Sequence, residues 1–216
     1  MGEIFSKANL IFMLNGLGMT IVISLATAFL SVIFGTVLAM FRNYCRGKWR
    51  FLSVFASAYI ELFRCTPNLL WIFLLRFTLK GNAVIISILA FTLFTSAVVA
   101  EIVRGGLNAI PKGQFEGAAS QGFSFLQTMW HIILPQAFKM IIPALLSQCT
   151  TIIKDTSYLK AVDIHEFMRN SSVVLGSATG ITQIIALYGF VLLTYFVLNF
   201  ILSCGVRSYQ KHLAVA

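Results

Sequence analysis

Five long apolar stretches divide the 216 residues, each separated from the next by a short polar or cation-rich stretch. The first runs from about 14 to 41, with Asn15 and scattered Thr and Ser as its polar interruptions. The second, 51–77, contains Glu61, Arg64, Pro67 and Arg76. Pro67 has no backbone N–H to donate, so a helix should kink or break there. Arg76 lies near the end of the run, where its long side chain can snorkel. The third stretch, 83–107, carries Glu101 and Arg104 near its end. The fourth, 132–153, is less apolar and holds Gln136, Lys139, Gln148, Pro135 and Pro143. Such a helix belongs among other helices rather than against lipid. The fifth is 181–204. A bilayer-crossing helix needs about 20 predominantly apolar residues. Each stretch is long enough, and the pattern predicts an all-α integral membrane protein of about five transmembrane helices in one domain.

Lys and Arg concentrate on the cytoplasmic side of membrane proteins. Arg42, Arg46, Lys48 and Arg50 fall within nine residues after the first stretch. That places the first loop inside, the N-terminus outside and, after five crossings, the C-terminus in the cytoplasm. Arg104, Lys112, Arg207 and Lys211 fall on the same side, and Lys7, Arg76, Lys80, Lys154, Lys160 and Arg169 on the other. The first loop carries much of the bias. Residues 154–179 then lie outside and have room for a short helix or re-entrant piece. No small-residue cleavage site follows a short apolar core, so the first stretch reads as a retained helix.

Composition agrees. Hydrophobic residues make up 58% of the chain and charged residues 11%, with a mean hydropathy of +0.87. Soluble domains are about 25% charged. The net charge of +9 does not point to nucleic acid, because the cations sit in short segments where membrane topology and anionic headgroups account for them. Cys45, Cys65, Cys149 and Cys204 lack metal or redox spacing, and His131, His165 and His212 are scattered, so no metal site is expected. Met1-Gly2 with Ser6, and Asn170-Ser171-Ser172, match modification patterns short enough to arise by chance. No internal repeat marks a two-half secondary transporter, and no clustered His, Asp or Glu marks a membrane-embedded enzyme.

The segment 108–131 is different in kind. Pro111-Lys112-Gly113-Gln114 is a helix-start pattern. Glu116-Gly117-Ala118-Ala119-Ser120-Gln121-Gly122 follows and predicts a short helix of small residues, which Gly122 can end in a left-handed conformation. A second piece runs from Ser124 into Ile132. The result is a compact helix-turn-helix on the cytoplasmic side. Its small side chains admit a partner closely, and Glu116 sits near a helix start where the dipole favours it.

The spacing of Glu116, Ala118, Gly122, Ile132, Leu134 and Pro135 resembles the EAA signature of bacterial ABC importer permeases. Gly117 stands where that family prefers Ala, a change that lowers helix propensity by up to about 1 kcal/mol. Glu101-Ile102-Val103-Arg104-Gly105-Gly106, Ile110 to Gln114, Glu61-Leu62-Phe63-Arg64, Thr66-Pro67 and Lys154-Asp155-Thr156-Ser157 are similar to the polar amino-acid branch, the histidine/glutamine/arginine permease type. Cys65 departs from that branch's usual Gly. The resemblance covers about Met13 to the C-terminus. It implies a type I ABC importer-like bundle in the bacterial cell membrane, paired with a second permease subunit, identical or not. In such a bundle Glu116, Gly117, Ala118, Ala119 and Gly122 form a coupling helix seated in a groove of a cytoplasmic ABC ATPase dimer, and an extracellular binding protein delivers the amino acid. The chain contains no phosphate-binding G-x-x-x-x-G-K-[ST] loop. ATP and Mg therefore belong to the partner ATPase, and no cofactor or enzymatic activity is expected of this chain.

Charged residues inside the spans remain. Glu61 and Arg64, and Glu101 and Arg104, are three apart, so each pair shares a helix face. They read as two structural ion pairs near the inner interface. Asp155, Thr156 and Ser157, with Lys154, are candidates for part of the translocation path or gate in the outer half.

Overall fold

Ser6 opens the first helix. Its side chain accepts from the Asn9 amide at 3.3 Å, and α1 then runs without interruption over Lys7–Tyr44, beyond both ends of the apolar stretch. The computed structural model describes the backbone of residues 4–215 and the side chains of 4–210. Met1, Gly2 and the side chains of Lys211 and His212 lie outside those described. The described residues are 87% helical, with no strand among them. The further helices are α2 (Arg50–Arg64), α3 (Asn68–Thr78), α4 (Ala83–Ala109), α5 (Lys112–Ser120), α6 (Phe125–Thr128), α7 (Leu134–Asp155), α8 (Phe167–Leu175) and α9 (Ile181–Val215).

Helix α1 packs through one seam of small residues, on α8 near its start and on α4 further along. Gly16, Thr20, Ser24, Thr27, Ser31, Gly35 and Ala39 are all buried and recur every three or four positions, so they share one face. Lipid tails are as apolar as Leu, so small residues that let two backbones approach are what hold membrane helices together. A Cβ on Gly35 would lie 2.7 Å from Val99 Cγ1 and 2.9 Å from the Ser96 carbonyl oxygen. We expect Gly35→Leu to destabilise the chain by about 1–3 kcal/mol through overpacking, read as a lower thermal unfolding midpoint in detergent. Gly18→Leu, where an added Cβ meets nothing within 4 Å, should leave the midpoint unchanged.

Helices α1 and α4 run parallel. Ile23 shares a core cluster with Phe91 and Phe94, Gly35 meets Val99, and Asn43 Nδ2 donates to Asn108 Oδ1 at 2.9 Å. Their C-terminal ends therefore lie together, and residues 45–82 must cross back. Helices α2 and α3 do this, bent by 102° at the break expected of Pro67. Ser53 Oγ donates to the Arg42 carbonyl at one end, while Ile72 packs with Phe91 towards the other. Thr66 secures the corner, donating to the Leu62 carbonyl at 2.6 Å and accepting from Trp71 Nε1 at 2.7 Å. The bent pair is thus a crossing and not a re-entrant loop, which brings the total to five.

The fourth stretch begins earlier than its apolar run. The helical piece expected from Ser124 into Ile132 is present, and it is continuous with α7 through a π-helical turn at Met129–Ile133. Helix α7 runs back along α4, with Ile141 and Ala137 against Gly106 and Leu134 against the cluster of Leu107 and Ile110. A 3₁₀ segment, Thr156–Val162, leads to α8, which packs on the first half of α1 by an Asn170 Nδ2 bond to the Phe12 carbonyl at 2.8 Å. Helix α9 starts there, Leu187 and Val191 packing with Ile4 and Met13, and returns past Ser147 with Arg207. Hence α5, the turn at Gly47–Trp49 and the end of α9 share one end of the bundle. Leu192, Leu193, Phe196 and Ile201 on α9 and Phe29 on α1 are exposed, as lipid-facing helices require.

Candidate functional site

At that shared end, α5 starts after Pro111 with no side-chain cap. Its stop is better built. Gly122 has φ +78°, the left-handed conformation glycine adopts freely. The Phe123 amide donates to the Ala118 carbonyl and the Gly122 amide to that of Ala119, at 3.1 and 3.0 Å, the two bonds of a Schellman stop. Ser124 then opens α6 with a reciprocal capping box to Gln127, which satisfies two further amides. The turn between the two helices is fixed on the α5 side by backbone hydrogen bonds and on the α6 side by the side-chain caps.

The five expected coupling residues do not share one role. Glu116, Gly117 and Ala119 are exposed, and a Cβ on Gly113 or Gly117 would meet nothing within 4 Å. Ala118 is 4% exposed and turns inward, so it anchors the helix instead of presenting it. Phe115, three residues before, packs against the core cluster that holds Leu107, Ile110 and Met129. Tyr44 at the end of α1 touches both Phe115 and Phe125, with ring centroids 6.5 and 5.3 Å away. The sequence reading missed Phe115, although it is the one large apolar side chain in α5 and lies at i−3 from Ala118.

The charged residues regroup as well. Glu101 accepts from Arg42 Nη1 at 2.7 Å and from Arg104 Nη2 and Nε at 2.8 and 3.1 Å, and Arg64 Nη1 approaches it at 3.8 Å. Glu61 meets Arg42 at 3.2 Å. The expected Glu61–Arg64 pair is therefore not formed. Arg64 is the last residue of α2 and faces α4, while Glu61 is drawn to Arg42 where α1 ends. Two carboxylates and three guanidiniums make one cluster tying α1, α2 and α4. Arg42 had read as a loop cation, and a partner 59 residues away leaves no local trace.

Asp155 ends α7 and is half-buried, as is Ser157 in the 3₁₀ segment. Thr156 is fully buried, its hydroxyl donating to the Ile153 carbonyl at 2.7 Å, so it does not line an open path. Exposed Lys154 borders a cavity of about 310 Å³ with Tyr195 and Asn199.

A further carboxylate carries no sequence signal. Glu166, fully buried, caps α8 by accepting the Met168 and Arg169 amides at 2.8 and 2.6 Å. A Cβ on Gly16 would fall 2.8 Å from its carbonyl oxygen, so glycine is needed for this approach. Burial pushes the Glu166 carboxyl up to about 7, against the backbone bonds that lower it. The folded state then holds this proton more tightly than the unfolded state, whose value is 4.5. The contribution is favourable at low pH and is lost as pH rises from about 4.5 to about 7, by about 3 kcal/mol in all. The unfolding midpoint in detergent should fall between pH 5 and pH 8, and Glu166→Gln should flatten that slope.

Residues 31–214 match the family described as binding-protein-dependent transport system inner membrane component. The chain is 32% identical over 211 residues to the probable glutamine ABC transporter permease protein GlnP of Bacillus subtilis (strain 168), covering 95% of each chain. It is 33% identical over 219 residues to the glutamate/aspartate import permease protein GltK of Escherichia coli O157:H7, covering 94% of this chain and 93% of that one. An amino acid ABC transporter solved with histidines superposes at a TM-score of 0.80 and 25% identity, over 93% and 94% of the two chains. The MetNI methionine ABC transporter, at 17% identity, shares the fold with a TM-score of 0.78 over 95% and 99%. The family and the apolar helices together make this a multi-pass inner-membrane protein, and the chain belongs to the binding-protein-dependent transport system inner membrane components as a permease subunit of an ABC importer.

Proposed function

We propose that this permease imports a polar amino acid, pairs with a second permease subunit and is driven by a separate cytoplasmic ATPase that grips α5. The N-terminus then faces outward and the end of α9 the cytoplasm. The observation that supports this reading is the construction of α5. It is a short helix held by Phe115 and Ala118, stopped by Gly122, and bare on the side that carries Glu116, Gly117 and Ala119. It stands at the end marked by Arg42, Arg46, Lys48 and Arg50. A rigid helix with small side chains outward transmits a push without conforming to it. ATP and Mg are held by the ATPase chain. At the opposite end a binding protein delivers the substrate, and Asp155 and Ser157 lie near that entrance. The relatives named for glutamine and for glutamate/aspartate support the substrate class.

The test is hydrolysis by the reconstituted complex with its binding protein against a panel of amino acids. We expect stimulation by a small set of polar amino acids. Uptake that persists without ATP and collapses with an ionophore would overturn the proposal.

A further inference from the structure

We propose that the turn between α1 and α2 is a binding site for the headgroup of an anionic phospholipid. A cavity of about 440 Å³ lies there, lined by Arg42, Asn43, Arg46, Gly47, Arg50 and Ser53 among others. Gly47 has φ +58°, which lets the chain fold back tightly enough to bring Arg46 and Arg50 to one opening. Arg42 is committed to Glu61 and Glu101. Among the described residues, no carboxylate lies within salt-bridge distance of Arg46, Lys48 or Arg50. The cavity therefore holds uncompensated positive charge, and its complement is an anion.

The surroundings point to a lipid as the source of that anion. Trp49 and Phe51 beside the opening are 53% and 61% exposed, with ring centroids 6.1 Å apart, and aromatic residues of this kind settle at the headgroup level. Val54, Phe55 and Leu62 continue an exposed apolar face along α2, while Ala56, Ile60 and Phe63 bury the opposite face. A phosphate in the cavity would have its acyl chains on Phe51 and Phe55. A free phosphate would make no use of this face.

The full chain, purified in a neutral detergent and offered equal phosphatidylglycerol and phosphatidylcholine, is assayed for retained lipid by native mass spectrometry. We expect wild type to retain phosphatidylglycerol by about tenfold or more over phosphatidylcholine. Arg46→Gln with Arg50→Gln should abolish that preference, and Arg46→Lys with Arg50→Lys should keep most of it. Lys80→Gln with Lys160→Gln removes the same charge at the opposite end and should leave the preference intact. An unchanged preference in the Arg-to-Gln variant would overturn the site, as would equal losses in both Gln variants. Displacement of the retained lipid by excess inorganic phosphate would show a free-anion site instead.

Discussion

Glu101→Gln will destabilise this chain more than any other neutralisation in the charge cluster. Glu101 is 19% exposed and has three guanidiniums within 4 Å, those of Arg42, Arg64 and Arg104. Glutamine keeps the shape and one acceptor but loses the charge. Three cations would then face the single carboxylate of Glu61, which reaches Arg42. Removing one member of a buried ion pair costs about 3–5 kcal/mol because the partner charge is left uncompensated. The three arginine side chains are 25%, 43% and 36% exposed, so water recovers part of that, and about 2–3 kcal/mol is expected. Glu61→Gln, at a carboxylate 55% exposed with one partner, should cost under about 1 kcal/mol. Thermal unfolding in detergent ranks the two. Adding Arg104→Gln to Glu101→Gln removes one of the stranded cations and should recover part of the loss. A Glu61→Gln effect equal to that of Glu101→Gln would remove Glu101 from the centre of the cluster.

What is legible in the sequence follows the range of the interactions. Crossing number depends on uninterrupted apolar runs of about 20 residues, and the break at Pro67 and the stop at Gly122 on residues within one or two helical turns; all three are legible. Contacts across the bundle are not. The pairing of Arg42 with Glu101 spans 59 residues, and i,i+3 spacing suggested the wrong partner for Glu61. Helix α1 begins ahead of the apolar stretch, because Lys7 and Asn9 interrupt the apolar pattern while Ser6 supplies the cap. The seam from Gly16 to Ala39 was present as small residues at heptad-like intervals but reads as featureless when only hydropathy is followed. Within α5, composition showed that the residues are small, but only packing separates Ala118, which anchors, from Glu116, Gly117 and Ala119, which face outward.

That separation gives the coupling proposal its sharpest expectation, because the outward face and the stop can be broken independently. Gly122→Val places a β-branched residue at φ +78°, where a non-glycine residue costs about 1–2 kcal/mol and a β-branched one is a genuine outlier. The chain would leave that conformation, the Phe123–Ala118 and Gly122–Ala119 bonds would open, and α5 would lose its fixed angle to α6. Uptake into proteoliposomes should fall by about tenfold or more, and hydrolysis should no longer respond to substrate. Gly122→Asn should retain most activity, since Asn tolerates the left-handed region. Glu116→Lys leaves the backbone and the buried anchors alone, so the unfolding midpoint should stay at the wild-type value while uptake is lost. A lever that is intact but no longer gripped gives that pattern; a helix that served only to stabilise the bundle would lose midpoint and uptake together, or neither.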